Sequence, residues 1–313
     1  MPKRIVIAFG GNAIIQKGQQ GTVYEQFANT RQAIDNIIGL IREGHQIVIT
    51  HGNGPQVGHI MVRVEAAKGL AYDVPLGVAV AETQGEMGYM IAQSLQNRLH
   101  REKIAREVVA VVTQVVVDRN DPSMLNPTKP VGRFYTEEEA VVMSAQGKTM
   151  VEDAGRGWRR VVPSPRPTRV VEGPVIRRLV EANDIVIACG GGGMPVYVAD
   201  DGTYEGIDGV VDKDLASSVL AREIDADDLI ILTEVEKVAI HFNKPNQQFL
   251  DRLTVAEARQ YLQEKHFAPG SMGPKVQAVI DFLEGGGRKA VITSLEKAYE
   301  AINGQTGTHF TRG

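Results

Sequence analysis

Ile5-Val-Ile-Ala-Phe-Gly-Gly-Asn12, Ile47-Val-Ile-Thr-His-Gly-Asn-Gly-Pro55 and Ile185-Val-Ile-Ala-Cys-Gly-Gly-Gly-Gly193 are three apolar runs that each end in glycine. They lack the polar alternation of a half-exposed sheet, which predicts strands buried on both faces. Glycine after each run lets the backbone approach a ligand and turn N–H groups toward it. Ligands of open α/β sheets sit beyond the carboxyl ends of the strands. Three glycine-rich exits from one sheet therefore predict a single anion-binding rim, on an enzyme or a nucleotide binder.

The rest of the pattern alternates in the same way. Apolar residues at helical spacing predict helices over Tyr24–Glu43, Val57–Lys68 and Ala81–His100, with Gly44 closing the first. Strands are predicted at Gln46–Thr50, Val108–Val117, Ile185–Cys189, Leu229–Thr233, Val238–Phe242 and Ala290–Thr293. Between the later ones lie helical stretches at Pro174–Ala182, Leu215–Ile224, Val255–Lys265 and Val276–Leu283. Such a βαβ series implies a mostly parallel open sheet with helices on both faces, an α/β fold of three layers.

Composition excludes several classes of function. The 313 residues can bury a large core, and 43% hydrophobic with 23% charged residues is ordinary for a globular protein. A net charge of −4 gives no basic footprint for nucleic acid. No apolar run approaches the ~20 residues that span a bilayer. Met1-Pro-Lys-Arg4 leads straight into a strand without a signal-peptide pattern. The one cysteine, Cys189, rules out an intrachain disulfide and fits a reducing cytoplasm, with buried packing the expected role.

Asp118–Pro167 breaks the rhythm with Asn126-Pro-Thr-Lys-Pro-Val-Gly132, Gly155-Arg-Gly-Trp-Arg-Arg160 and Pro163-Ser-Pro-Arg-Pro167. Proline fixes φ and removes backbone donors, so this segment is not an interior strand of the main sheet. Segments of this length are lids or inserted subdomains, or else surface excursions without ligand contact. Thr149–Asp153 and Trp158–Val162 could pair as a hairpin within it. Lys129, flanked by prolines, favours a lid that delivers a charge.

The ligand class follows from what is absent and from lysine. No Gly-x4-Gly-Lys-Ser/Thr loop occurs, and Gly52-Asn-Gly54-Pro-Gln-Val-Gly58 misses the spacing of a dinucleotide loop. Lys213 and Asp214 stand where a turn enters a helix, and Lys275 falls in the first turn of another. A cation is unfavourable at that end of a helix dipole, a conflict an anionic ligand would remove. Phosphoryl transfer suits these parts, because its catalysis is mainly positioning and charge neutralisation by lysine, Mg²⁺ and backbone N–H groups. Asp214 would hold the lysines and keep them protonated; it could equally be a plain helix N-terminal carboxylate.

Several motifs together resemble the carbamate kinases of the amino acid kinase superfamily. They are Phe9-Gly-Gly-Asn-Ala13, Thr50-His-Gly-Asn-Gly-Pro-Gln-Val-Gly58, Asn126-Pro-Thr-Lys-Pro130, Arg160-Val-Val-Pro-Ser-Pro165, Ala188-Cys-Gly-Gly-Gly-Gly193, Asp212-Lys-Asp214 and Ala268-Pro-Gly-Ser-Met-Gly-Pro-Lys275. The likeness runs in order from residue 5 to about residue 308. It implies Mg²⁺-dependent phosphoryl transfer between ATP and carbamate, giving ADP and carbamoyl phosphate, often in the arginine deiminase route. It further implies a cytoplasmic homodimer, with an acceptor side over residues 1–205, a lid at about 118–167 and a nucleotide side over 206–313. A non-catalytic nucleotide or anion-binding regulator on the same fold, or a kinase of another small carboxylate, stands as the alternative.

By the same resemblance, Gly10, Gly11 and Asn12 match the loop around the transferring phosphoryl group, and Gly52 and Asn53 the carbamate-side loop. Lys129 matches a lysine of the protruding subdomain, Lys213 and Lys275 the pair flanking the phosphoryl group, and Asp214 the carboxylate that organises them. Thr233, Glu234, Val235 and Lys237 match the adenine and ribose region, with Met272 and Pro274 near the nucleotide. Gly190–Gly193 is expected to shape the turn beside it. Mg²⁺ is expected on the nucleotide phosphates rather than in a carboxylate cage. Related acetylglutamate-type kinases carry a lysine where Ala8 stands here, and Lys129 supplies the replacement charge, which favours carbamate over an acylamino acid. His51 reads as strand-end packing or hydrogen bonding, and Met87–Met90 as core or dimer contact. Glu137–Glu139 and Asp225–Asp228 read as solvated surface. Arg159, Arg160 and Arg166 could bind phosphate or serve ion pairs of the insert.

Overall fold

In a computed structural model that describes residues 2–16, 18–153 and 155–313, with the Asn12 side chain outside the described set, the strands and helices alternate along the chain. They are β1 (Arg4–Phe9), α1 (Val23–Arg42), β2 (Gln46–His51), α2 (Gly54–Ala66), α3 (Leu76–Glu102), β3 (Val108–Ala110) and β4 (Gln114–Val117). Next come β5 (Lys129–Tyr135), α4 (Glu137–Ala145), β6 (Thr149–Glu152), β7 (Trp158–Val162), β8 (Pro167–Val170), α5 (Gly173–Glu181), β9 (Ile185–Ile187), β10 (Met194–Val198) and β11 (Tyr204–Gly206). The chain closes with α6 (Lys213–Glu223), β12 (Asp228–Thr233), β13 (Val238–Ile240), β14 (Gln248–Leu250), β15 (Arg252–Thr254), α7 (Val255–Gln263), α8 (Met272–Glu284), β16 (Lys289–Ser294), α9 (Ala298–Ile302) and β17 (Thr308–Thr311).

The main sheet has the order β15-β17-β16-β12-β1-β2-β9-β3 and is parallel except between β16 and β17. The three glycine-ended strands are therefore neighbours, with β12 beside them. Each β1 residue alternates between two cores. Val6 and Ala8 pack with residues of α5 to α8, whereas Ile5, Ile7 and Phe9 pack with α1, α3 and α9. A strand covered by helices on both faces has no solvated side, which explains its unbroken apolar run. The architecture is the three-layer α/β/α arrangement anticipated from the sequence. Capping boxes at Thr22/Glu25 and Thr254/Glu257 fix the starts of α1 and α7, each cap contributing about 1 kcal/mol.

Residues 129–162 build a separate three-stranded antiparallel sheet, β5-β7-β6, with α4 packed against it. Thr149–Glu152 and Trp158–Val162 pair as expected, and Lys129–Tyr135 adds an edge strand the sequence reading did not anticipate. Pro130 is tolerated there because an edge strand has an unpaired side. Val131 and Val162 bury against Val57, Ile60 and Met61 of α2, so the insert is anchored by a small apolar cluster of its own.

Two expected strands are corrected. Val108–Val117 is not one strand: β3 ends the main sheet, and β4 joins β8, β10 and β11 in a second sheet. Gln84 of α3 stands at the break. Its buried amide accepts from Thr113 N at 2.7 Å and donates to Thr113 O at 3.1 Å, so the Thr113 N–H leaves the main ladder, while Thr113 O also accepts from Met194 N of β10 at 3.0 Å and already belongs to the second sheet. Val238–Phe242 stops at Ile240, because His241 and Asn243 adopt left-handed backbone with φ of 52° and 58°. It pairs only with β14, in a two-stranded sheet of its own.

Candidate active site

Four strand exits and two helix starts converge at one rim. β1 ends at Phe9, and Gly10 passes so close to β12 that an added Cβ would lie 2.7 Å from the Leu232 carbonyl oxygen. No larger residue fits without parting those strands. Gly11 opens a short turn whose amide nitrogen faces the β2 exit: a Cβ on Gly52 would lie 3.9 Å from it and 3.3 Å from Lys213 Cδ. Gly11, Gly52 and the Lys213 stem therefore share one small space.

Lys213 reaches it because α6 is pinned to the end of β2. The buried hydroxyls of Thr50 and Ser217 lie 2.6 Å apart, and the Ser217 hydroxyl donates to the Lys213 carbonyl at 2.6 Å. Asp212 caps the helix, its Oδ1 accepting from Asp214 N at 3.0 Å and Leu215 N at 3.4 Å. Asp214 is buried and accepts from Lys213 Nζ at 2.5 Å and from Lys275 Nζ at 3.0 Å. Burial pushes the Asp214 carboxyl up, but the two ammonium groups overcome it and hold the carboxyl below its ordinary value. Burial likewise pulls Lys213 below the ordinary lysine range, with Asp214 opposing and Lys275 adding to the depression. The conflict of a cation at each helix start is met partly within the protein, since Asp214 stands between them. Each ammonium spends one N–H on Asp214 and keeps two for an anion.

Asn53 is buried, and its Nδ2 donates to Thr83 Oγ1 at 2.8 Å, leaving its carbonyl oxygen and one N–H for a ligand. The Gly190–Gly193 cluster is found behind that amide rather than on the wall of the nearby cleft. Gly191 has φ of 66° and its Cβ would sit 2.2 Å from Asn53 Nδ2, while a Cβ on Gly192 would strike the Val211 carbonyl. His51 is buried, contacts its neighbour's carbonyl, and is pushed down to about 4 by burial, so it stays neutral and packs. Lys129, from the start of β5, reaches across the rim and donates to Asp212 Oδ2 at 2.9 Å.

A cleft of about 740 Å³ opens from Gly10, Gly11, Lys213 and Lys275. Thr233, Glu234, Val235, Lys237 and Met272 line it; Pro274, in the first turn of α8, does not. The Asn12 side chain lies outside the described residues. Among the cleft residues that escaped the sequence reading are His241, Phe242, Lys244 and His266. The first three ride on the turn between β13 and β14, and the one signal for that turn was Phe242-Asn-Lys-Pro245 after a short strand. Arg166 pairs with Asp281 at 2.5 Å, Arg160 stands 3.6 Å from Asp208, and Arg159 stacks over Phe134. All three arginines thus engage protein groups. Among the described residues no three ligating side chains cluster to hold a metal, and no helix is long and apolar enough to cross a membrane.

Comparison with known proteins bears on the same features. Residues 3–294 match the model of the amino acid kinase family. The chain is 51% identical to the carbamate kinase of Thermococcus kodakarensis and 50% to that of Pyrococcus horikoshii, covering 99% of itself each time and 99% and 100% of those proteins. The solved carbamate kinase from Giardia lamblia bound to AMP-PNP superposes with a TM-score of 0.93 at 43% identity, over 99% of this chain and 98% of that one. The chain belongs to the amino acid kinase family and, within it, to the carbamate kinases.

Proposed function

We propose that this chain catalyses reversible phosphoryl transfer between ATP and carbamate, giving ADP and carbamoyl phosphate. The observation that carries the reading is the convergence of Lys213 and Lys275 on one buried carboxylate, at the mouth of a cleft floored by Gly10 and Gly11. A volume of about 740 Å³ is adequate for a nucleotide. Glu234, Val235 and Met272 would face its base and ribose, and Lys237, held by Asp251 at 2.6 Å, would stand at its rim.

The transferring phosphoryl group would sit over Gly11, with Lys213 and Lys275 on its equatorial oxygens. Charge spreads over those oxygens in the transition state, and fixed ammonium groups with a backbone N–H neutralise it without reorganising. Carbamate would lie against Gly52 and the free half of the Asn53 amide, with Lys129 closing from the insert. A small acceptor needs such a tight pocket, and a lid would exclude water from a labile product. Magnesium would be carried on the nucleotide phosphates, where it supplies further positive charge; the Asp214 carboxylate is already taken by the two lysines.

The reading divides the chain into an acceptor side over residues 1–205, with the lid at about 118–167, and a nucleotide side over 206–313. It extends to a homodimer, for which exposed Val62, Val78 and Tyr89 on α2 and α3 offer apolar surface. It extends also to the cytoplasm, which suits a lone buried Cys189 whose thiol is pushed up by burial, and to arginine breakdown running toward ATP.

A coupled assay of ATP formed from ADP and carbamoyl phosphate tests the activity. Turnover with carbamoyl phosphate, and little with acetyl phosphate or acetylglutamyl phosphate, is the expected result. ADP binding without turnover would instead make the chain a regulator on this fold. Gly191→Ala gives a sharper check on the acceptor pocket, because its methyl would collide with the Asn53 amide at an already left-handed position. The KM for carbamoyl phosphate should rise about 10- to 100-fold while the Kd of ADP stays put, since displacement by about 1 Å costs that much in a positioned site. Equal shifts in both constants would detach Asn53 from the acceptor.

A further inference from the structure

Asp212 is placed to do two jobs at once. Its Oδ1 accepts the first free N–H groups of α6, from Asp214 and Leu215, and its Oδ2 accepts from Lys129 Nζ at 2.9 Å. The Asp212 side chain is 13% exposed and that of Lys129 35%, so the pair is partly shielded from solvent. The residues that α6 carries next are Lys213 and Asp214, the centre of the charged cluster. The partner lysine belongs to β5, 83 positions away in sequence and on the separate inserted sheet. No other side chain among the described residues makes a hydrogen bond or ion pair with Lys129.

We propose that Asp212 is a positioning residue: one carboxylate oxygen fixes the start of α6 while the other aims the Lys129 ammonium at the acceptor side of the rim. A lysine stem has four rotatable bonds and much rotamer freedom, so an ammonium brought in by a separate sheet is poorly placed without a fixed partner. A carboxylate whose other oxygen is locked into a helix cap is such a partner, and the bond it makes is charge-assisted. The same carboxylate ties the insert to the helix that carries Lys213. Lys129 would thus be brought to bear on an acceptor in register with the phosphoryl-side lysines. This inference rests on the carbamate reading above.

A double-mutant cycle of Asp212→Asn and Lys129→Met separates positioning from simple structure. Asparagine caps a helix about as well as aspartate, so Asp212→Asn should keep the melting temperature of the wild type. In the ATP-forming assay it should raise the KM for carbamoyl phosphate about tenfold or more and leave the KM for ADP unchanged. The double variant should be no worse than Lys129→Met alone. Additive losses in the cycle, or an Asp212→Asn enzyme with unaltered KM for carbamoyl phosphate, would overturn the proposal. A fall in melting temperature with both KM values rising together would reduce Asp212 to its cap and overturn it too. Hydrogen exchange of the β5 amides supplies a readout free of turnover. It should quicken in Asp212→Asn while exchange in α6 does not change, and equal exchange in both proteins would count against the link. If the wild type itself makes no ATP, the carbamate reading fails, and hydrogen exchange still decides whether Asp212 holds Lys129.

Discussion

Asp214→Ala is expected to destabilise the protein by about 3–5 kcal/mol and to abolish measurable turnover, the penalty typical of removing one member of a buried ion pair. Two ammonium groups, on side chains 12% and 14% exposed, would then face each other with no carboxylate between them. Asp214→Asn should cost less, since it keeps the shape and one acceptor while still losing the charge. Adding sulfate or phosphate distinguishes this account from a general packing defect. An anion can occupy the vacated position, so the melting temperature of Asp214→Ala should recover with millimolar sulfate more than that of the wild type rises. The pH dependence has a definite sign. The folded carboxyl lies below its unfolded value, so its contribution is complete above the ordinary carboxylate pKa and is lost only as pH falls through the depressed one. Wild-type stability should therefore fall more steeply in acid than that of Asp214→Ala, followed by thermal melts across the acid range. A variant that melts with the wild type at neutral pH would show that the lysines do not depend on Asp214.

The central part of this arrangement was legible because it is built from short-range pattern. β1, β2, β9 and β12 are apolar on both faces, and a residue run covered by two helical layers announces itself in any window of six. Lys213 and Lys275 were legible as cations at helix starts, an oddity visible from local sequence alone. What escaped was made by partners distant in the chain. The switch from the main sheet to the second one falls at Thr113, held by Gln84 29 positions away and by Met194 of β10, and nothing in Val108–Val117 itself signals a break. Asp212 looked like part of a motif, and only its bond to a lysine on another sheet gives it a second task. Gly191 could be seen as permissive but not as the wall behind Asn53, because close approach between segments 138 positions apart has no local signature. His241 and Phe242 entered the cleft through a left-handed turn whose geometry propensity alone does not specify.

Lys213→Met and Lys275→Met should each lower kcat by about 10²–10³-fold, the loss usual when one fixed donor to a developing charge is removed. ADP binding should change far less, because the wall from Thr233 to Lys237 and the turn at His241 remain. The two lysines should nonetheless be distinguishable. Burial depresses Lys213, and as pH rises through its lowered value the ammonium loses its charge. The wild-type rate should then fall on the alkaline side before the ordinary lysine range is reached, and that limb should vanish in Lys213→Met, leaving a low, flat profile. Lys213→Arg is not expected to restore the rate. The stem passes within 3.3 Å of where a Cβ on Gly52 would lie, and a planar guanidinium is bulkier than the ammonium that fits there. Single-turnover rates with ADP and carbamoyl phosphate, measured across pH, would test both statements, since they report the transfer step apart from product release. An arginine variant with wild-type single-turnover rate would mean that Lys213 supplies charge at a distance and not a placed N–H donor. An alkaline limb that persists in Lys213→Met would assign it to another group and leave Lys213 with a purely structural partnership to Asp214.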